Sequence, residues 1–155
     1  MKKYALHLRL SLPFLLALLI ASSSAPQPTA TAQEKSLYER LGGYNAVAAV
    51  VDDFIGRLVA DKRFERFFVG HSKDSQKRIR QHIVDQLCAA AGGPCIYTGR
   101  SMRDSHEGLN ISEDDWKAAV DHLVASLDKF KVAKREKDDL LGAISKFKPD
   151  IVEKK

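Results

Sequence analysis

Cysteine is scarce. The 155-residue chain has two, Cys88 and Cys95, at a separation that matches no zinc-ligand pattern. There is no glycine-rich phosphate loop, no internal repeat and no alternating apolar–polar stretch of the kind that makes a strand. No nucleophile–base–acid set and no isolated carboxylate pair suggests hydrolytic chemistry. Asp52-Asp53 and Asp114-Asp115 read as solvated helix faces or caps. Long apolar runs are also missing, apart from Leu10 to Ile20, which Ser11 and Pro13 interrupt. That run is too short to span a bilayer comfortably.

Charge of one sign is not in real excess either. The formal charge is +5, but removing residues 1–32 takes away Lys2, Lys3 and Arg9 and no acid, leaving +2. The basic character belongs largely to the N-terminal end, so a nucleic-acid surface is not expected. That end follows the order of a secretory signal: basic start, short apolar core, then Ala30-Thr31-Ala32 as a small-x-small site. Ser23-Ser24-Ala25 also fits, but Pro26 would then follow the cut. An uncleaved anchor is the alternative. We expect cleavage after Ala32, a single domain over residues 33–155, an exported periplasmic or secreted product, and no membrane span after cleavage. In that setting Cys88 and Cys95 either pair or remain as one buried and one surface thiol.

What is present is helical periodicity from Ser36 onward. Ser36-x-x-Glu39 has capping-box spacing and opens a short helix that Gly42-Gly43 ends. A strong helix from Tyr44 to about Ala60 places Val47, Val50, Val51, Phe54, Ile55 and Leu58 on one stripe. Phe64, Phe67 and Phe68 crowd a short turn or helix. The next helix, Ser75 to Ala91, puts Ile79, His82, Ile83 and Leu87 on one face, and Gly92-Gly93-Pro94 stops it. A short helix should carry Met102 and His106. Ser112-x-x-Asp115 starts a long helix with a buried stripe of Trp116, Val120, Leu123 and Leu127. A last helix covers about Lys134 to Lys146, and Pro149 bars its continuation. The fold class is all-α.

The five histidines are unequal. His7 leaves with the leader, His71 sits in a polar loop, and His122 reads as a partly exposed packing residue. His82 and His106 remain, accompanied by Phe54, Ile55, Phe67, Phe68, Ile79, Ile83, Met102 and Trp116. Those bulky groups either form an ordinary core or wall a flat apolar cofactor. Short helices and an irregular stretch before His106 leave a middle that side chains fill with difficulty. Haem would fill it, with one neutral imidazole on its iron.

Five segments carry a resemblance: Ser36-Leu-Tyr-Glu-Arg-Leu-Gly-Gly43, Val51-Asp-Asp-Phe-Ile-Gly-Arg-Leu58, Ala60-Asp-Lys-Arg-Phe-Glu-Arg-Phe-Phe68, Gly92-Gly-Pro-Cys-Ile-Tyr-Thr-Gly-Arg100 and Met102-x-x-x-His106-x-x-Leu-x-Ile111. From Ser36 to about Val152 the chain resembles the group 1 truncated, or 2-on-2, haemoglobins. The resemblance implies two helix pairs crossed around haem b and reversible binding of O2 or another diatomic ligand such as NO or CO. It implies His106 as the proximal iron ligand, its other ring nitrogen donating to a carbonyl. Phe68 matches the phenylalanine packed on the ring, and Phe54 and Ile55 a distal pair. Ile79, His82 and Ile83 match the distal face of the third long helix. Tyr97, Arg100 and Met102 match the cofactor-contacting stretch before the ligand, with Arg100 near a propionate.

The departures matter. Many relatives carry Tyr where this chain has Ile55 and Gln where it has Ile83, and isoleucine donates no hydrogen bond. A donor to a ligand with developing negative charge contributes about 1.5–3 kcal/mol. Oxygen binding is therefore weakened, or His82 supplies the polar contact. In some relatives the matching histidine is a sixth iron ligand, and His82 is a candidate for that place. Two imidazoles on iron would make a bis-histidyl haem protein for electron transfer or detoxification of NO and reactive species. Some relatives bond a late histidine to a haem vinyl; none follows His122 here, so non-covalent haem is expected. Whether the chain is an enzyme stays open. Nitric oxide dioxygenation would require an electron donor, which the sequence does not name.

Overall fold

Local signals dictate most of the helix boundaries. The computed structural model describes Glu34–Lys154; the expected signal segment and its cleavage site lie outside the described residues. Helix α1 (Leu37–Arg40) has the expected capping box: the Ser36 hydroxyl accepts from the Glu39 N–H, and the Glu39 carboxylate accepts from the Ser36 N–H. Four residues cannot hold a helix alone. The Tyr38 N–H therefore docks on the Ala91 carbonyl at 2.8 Å, and Arg40 pairs with Glu136 and Asp139.

Helix α2 (Gly43–Ala60) is the central element. Asp61 ends it and caps a 3-10 turn, Lys62–Phe64, that runs into α3 (Glu65–Phe68). Helix α4 (Lys73–Ala90) begins two residues before the expected Ser75. The reason is that Ser72 is the cap: its hydroxyl accepts from the Ser75 N–H at 3.2 Å. Helix α5 (Met102–His106) follows, capped by Ser101. Helix α6 (Glu113–Lys129) starts with a second capping box, Ser112 with Asp115.

Helix α7 (Lys134–Ser145) ends near its expected limit, but Pro149 does not end the helical structure. It lies in the first turn of α8 (Lys148–Ile151), where a missing N–H has no helical partner to lose. Among the described residues there is no β-strand, only one bridge between Ser112 and Lys154. No described helix is long and apolar enough to cross a membrane.

Helix α2 packs on α4 through Val47, Ala48, Val51, Val84 and Leu87. Its Val50 joins Leu123 and Leu127 of α6 and Leu140 of α7. At its C-terminal end Leu58 meets Phe64 and Ala118. Charge reinforces these seams. Arg80 of α4 makes a two-pronged bond to Asp52 of α2 at 2.6 and 2.8 Å. Asp53 is not fully solvated as its sequence context suggests: it accepts from Arg57 and from Lys129 of α6. Asp115 is buried, at 7% exposure, because it serves both the cap and Arg66 at 2.8 Å.

The stripe expected on α6 is buried only in its C-terminal half. Leu123 and Leu127 are inside, whereas Trp116 and Val120 are half-buried and line an open hollow with Glu113, Asp114, Lys117 and Lys148. Cys88 and Cys95 form a disulfide. Cys88 is fully buried and Cys95 half-buried, so the crosslink ties the end of α4 to the segment leading into α5.

Candidate functional site

His106 is the last residue of α5, and the helix itself orients its ring. Nδ1 lies 2.7 Å from the Met102 carbonyl oxygen, four residues back. A carbonyl only accepts, so Nδ1 carries a proton, and in the neutral ring the lone pair lies on Nε2. That is the ring state a metal-binding imidazole needs, held by a partner on the opposite nitrogen. The side chain is half-buried.

His82 lies on α4. Its Nδ1 is buried and has no hydrogen-bond partner among the described residues. An imidazole nitrogen taken from water without a partner costs about 1–3 kcal/mol. The ring meets Tyr97 edge-on, with centroids 5.9 Å apart and planes at 70°. Tyr97 is held in turn by donating its hydroxyl to the Arg100 carbonyl at 2.7 Å. It folds so closely over Gly99 that any Cβ there would collide with the phenol. The loop from Cys95 to Arg100 is thus closed at one end by the disulfide and at the other by Tyr97.

The apolar residues expected at the site share a property: Phe54, Ile55, Phe68, Ile79, Ile83, Met102 and Trp116 are all half-buried. The fully buried side chains are elsewhere, led by Leu127, Val51, Val84 and Cys88. Ile55 and Ile83 pack on the same α2–α4 cluster. Phe54 and Phe68 each pack on the Leu58–Phe64–Ala118 cluster. Arg100 is exposed, and its guanidinium makes no hydrogen bond among the described residues.

Sequence reasoning missed two contacts that frame this region. His122 is half-buried as expected, but its Nε2 is also 2.9 Å from Asp61 Oδ2, and its ring stands edge-on to Phe64. Glu153 accepts from the backbone N–H groups of Gly108 and Asn110, just past His106, at 2.6 and 2.5 Å. Neither pair is local in sequence, and no spacing rule points to either.

A small all-helical domain with a tautomer-fixed imidazole on a short helix, a second imidazole with an unpartnered buried nitrogen, and incompletely buried apolar walls has the features of a globin. Comparison with known proteins gives the branch. The bacterial-like globin family matches residues 36–153. A group 1 truncated haemoglobin of Mycolicibacterium paratuberculosis is 33% identical over 120 residues, which covers 77% of this chain and 86% of the relative. The Fe(III) form of truncated haemoglobin from Tetrahymena pyriformis superposes with a TM-score of 0.71 at 30% identity, covering 77% of this chain and 100% of that one. The 2/2 haemoglobin of Synechococcus sp. PCC 7002, in the cyanomet state with covalently attached haem, gives 0.69 at 31% identity, covering 76% and 98%. The chain belongs to the bacterial-like globins and, within them, to the group 1 truncated haemoglobins of 2-on-2 helical fold.

Proposed function

We propose that this globin holds haem b non-covalently through His106 and reversibly binds O2 or another diatomic ligand. The observation that carries the assignment is the Nδ1–Met102 bond, which leaves His106 Nε2 as the available donor at the end of α5. The composition of the fold suits the group: half-buried phenylalanines and isoleucines on α2, α3 and α4, and one buried imidazole nitrogen that lacks a partner. Haem bound there would supply an iron that takes one imidazole and a diatomic ligand.

The chain's own residues do the rest. His106 holds its ring in one tautomer. Phe54, Phe68, Ile79, Ile83 and Met102 would exclude water, Arg100 is exposed and could meet a propionate, and Trp116, at the open hollow with Glu113 and Lys148, is not placed with them. No histidine follows His122, so α7 and α8 offer no imidazole for a bond to a vinyl group, unlike a protein with covalently attached haem. The test is the absorption spectrum, ferric and ferrous, with and without carbon monoxide. Wild-type protein should show a stoichiometric Soret band, and H106A should lose haem or hold it weakly with an altered spectrum. A wild-type band and ligand affinity in H106A would sink the assignment.

A second reading rests on His82. A turn of the ring that brought this buried, unpartnered Nδ1 to a bound ligand, a water or the iron would relieve it. In the last case two imidazoles close the site, and the protein carries electrons or detoxifies NO and reactive species. Turnover of that kind requires an electron donor.

Export is part of the proposal. The order of charge, apolar core and Ala30-Thr31-Ala32 supports it, and so does a disulfide in a small domain. N-terminal sequencing of protein from its native cells should begin at Gln33; recovery of a cytosolic product retaining residues 1–32 would overturn it.

A further inference from the structure

We propose that Glu153, at the C-terminal end of the fold, is a positioning residue that sets the stance of the His106 imidazole. The inference rests on the reading of His106 as the haem ligand. Helix α5 has five residues, too few to be stable in isolation, so its tilt is set by what grips its ends.

After His106 the chain leaves the helix through an extended Glu107 and two residues of positive φ, Gly108 at 80° and Asn110 at 53°. Glycine and asparagine tolerate that region. The turn aims two backbone N–H groups at one carboxylate: Gly108 donates to Glu153 Oε1 at 2.6 Å and Asn110 to Oε2 at 2.5 Å. Leu109, between them, donates its N–H to the carbonyl of His106 itself at 3.1 Å. The carboxylate thus holds the two residues flanking the one that is bonded to His106.

Further ties repeat the grip. The Ile111 carbonyl accepts from the Glu153 and Lys154 N–H groups at 2.9 and 3.1 Å. Arg103 of α5 pairs with Asp150 of α8 at 2.7 Å, while Lys148 ties α8 to Glu113 of α6, not to α5, at 2.6 Å. Those salt bridges are largely exposed and individually weak. Glu153, Gly108 and Asn110 are exposed as well, but here one carboxylate makes two charge-assisted bonds to amides that have no helical partner.

The test uses full-length, haem-loaded protein. In E153A, amide exchange at Gly108 and Asn110 should rise about tenfold. The iron–imidazole stretching band, read after carbon monoxide is photolysed away, should shift. E153Q keeps one oxygen that accepts a single N–H, so its band should lie between the two. L140A, in the α6–α7 core, should lower thermal stability and leave the band in place. A band unmoved in both E153A and E153Q, or moved equally by L140A, overturns the inference. It fails separately from its premise: H106A losing haem while the Glu153 variants keep a wild-type band refutes only the clamp, whereas H106A keeping a wild-type Soret band refutes the ligand assignment.

Discussion

The two imidazoles of this globin differ in what already satisfies them. His106 donates Nδ1–H to a carbonyl one helical turn back, so its geometry is set before any ligand arrives. His82 has a buried nitrogen that nothing in the described protein meets. The first arrangement holds one ring nitrogen fixed, and the second leaves a hydrogen-bonding need unmet. If His82 occupies the sixth position part of the time, gas binding is slowed by the closed fraction. H82L should then convert a low-spin resting spectrum to high-spin and speed carbon monoxide binding. Unchanged ferric and ferrous spectra and an unchanged rate in H82L would remove His82 from the ligand side. The isoleucines at 55 and 83 belong to the same argument. Neither donates a hydrogen bond, so in the proposed reading His82 is the group left to contact a polar ligand.

At the scale of the element, the shortest pieces depend most on ties from far away. Helix α1 is gripped by Ala91, Glu136 and Asp139, and α5 by the segment around α8. The Cys88–Cys95 crosslink does similar work for the loop that carries Tyr97 to His82. It closes a small ring of chain, for which about 2–3 kcal/mol of stability is typical. Replacing both cysteines with alanine should lower the free energy of urea unfolding by about that amount. Wild-type protein should offer no thiol to a labelling reagent until it is reduced. A native wild-type protein that labels at both cysteines would contradict the crosslink.

For the molecule as a whole, acid is the condition its charge seams resist least. The Asp53 carboxyl is held far below its ordinary value by Lys129 first and then Arg57, against a smaller opposing effect of burial. Asp52 is lowered by Arg80. For Asp115, burial is the largest influence and acts upward, but the Ser112 backbone N–H and hydroxyl together with Arg66 outweigh it, and the net shift is downward. Each depressed carboxyl stabilises the fold at any pH above its unfolded value, and that contribution is lost as pH falls through the folded one. Unfolding free energy should therefore change little on these groups' account between about pH 7 and 5, and drop below about pH 4. D53N should be less stable at neutral pH and show a shallower acid fall. An acid limb as steep in D53N as in wild type would show that Asp53 is not one of its sources. The Asp52 and Asp53 pairs tie α2 to α4 and to α6, and the Asp115 pair ties α6 to α3, so their protonation loosens those seams.

Much of this was written in the chain by itself. Capping at Ser36 and Ser112, the stop at Gly92-Gly93 and the stripe on α2 are decided within a few residues, because helix hydrogen bonds and caps are local; on α4 only Leu87 of the expected Ile79, His82, Ile83 and Leu87 face is buried, and it is Val84 and Cys88 that go inside with it. The Met102-x-x-x-His106 spacing contains the Nδ1 bond in the same sense, since a carbonyl four residues back is where a helical ring nitrogen can reach. Tertiary structure decided what depends on distant parts meeting. It paired Cys88 with Cys95, gave Asp115 to Arg66 and His122 to Asp61, and left Trp116 and Val120 at the edge of a hollow while Leu123 and Leu127 went inside. It also brought Glu153 to Gly108 and Asn110, across 45 and 43 positions of sequence. No local periodicity encodes such a contact, because it forms only after α8 has packed on α5.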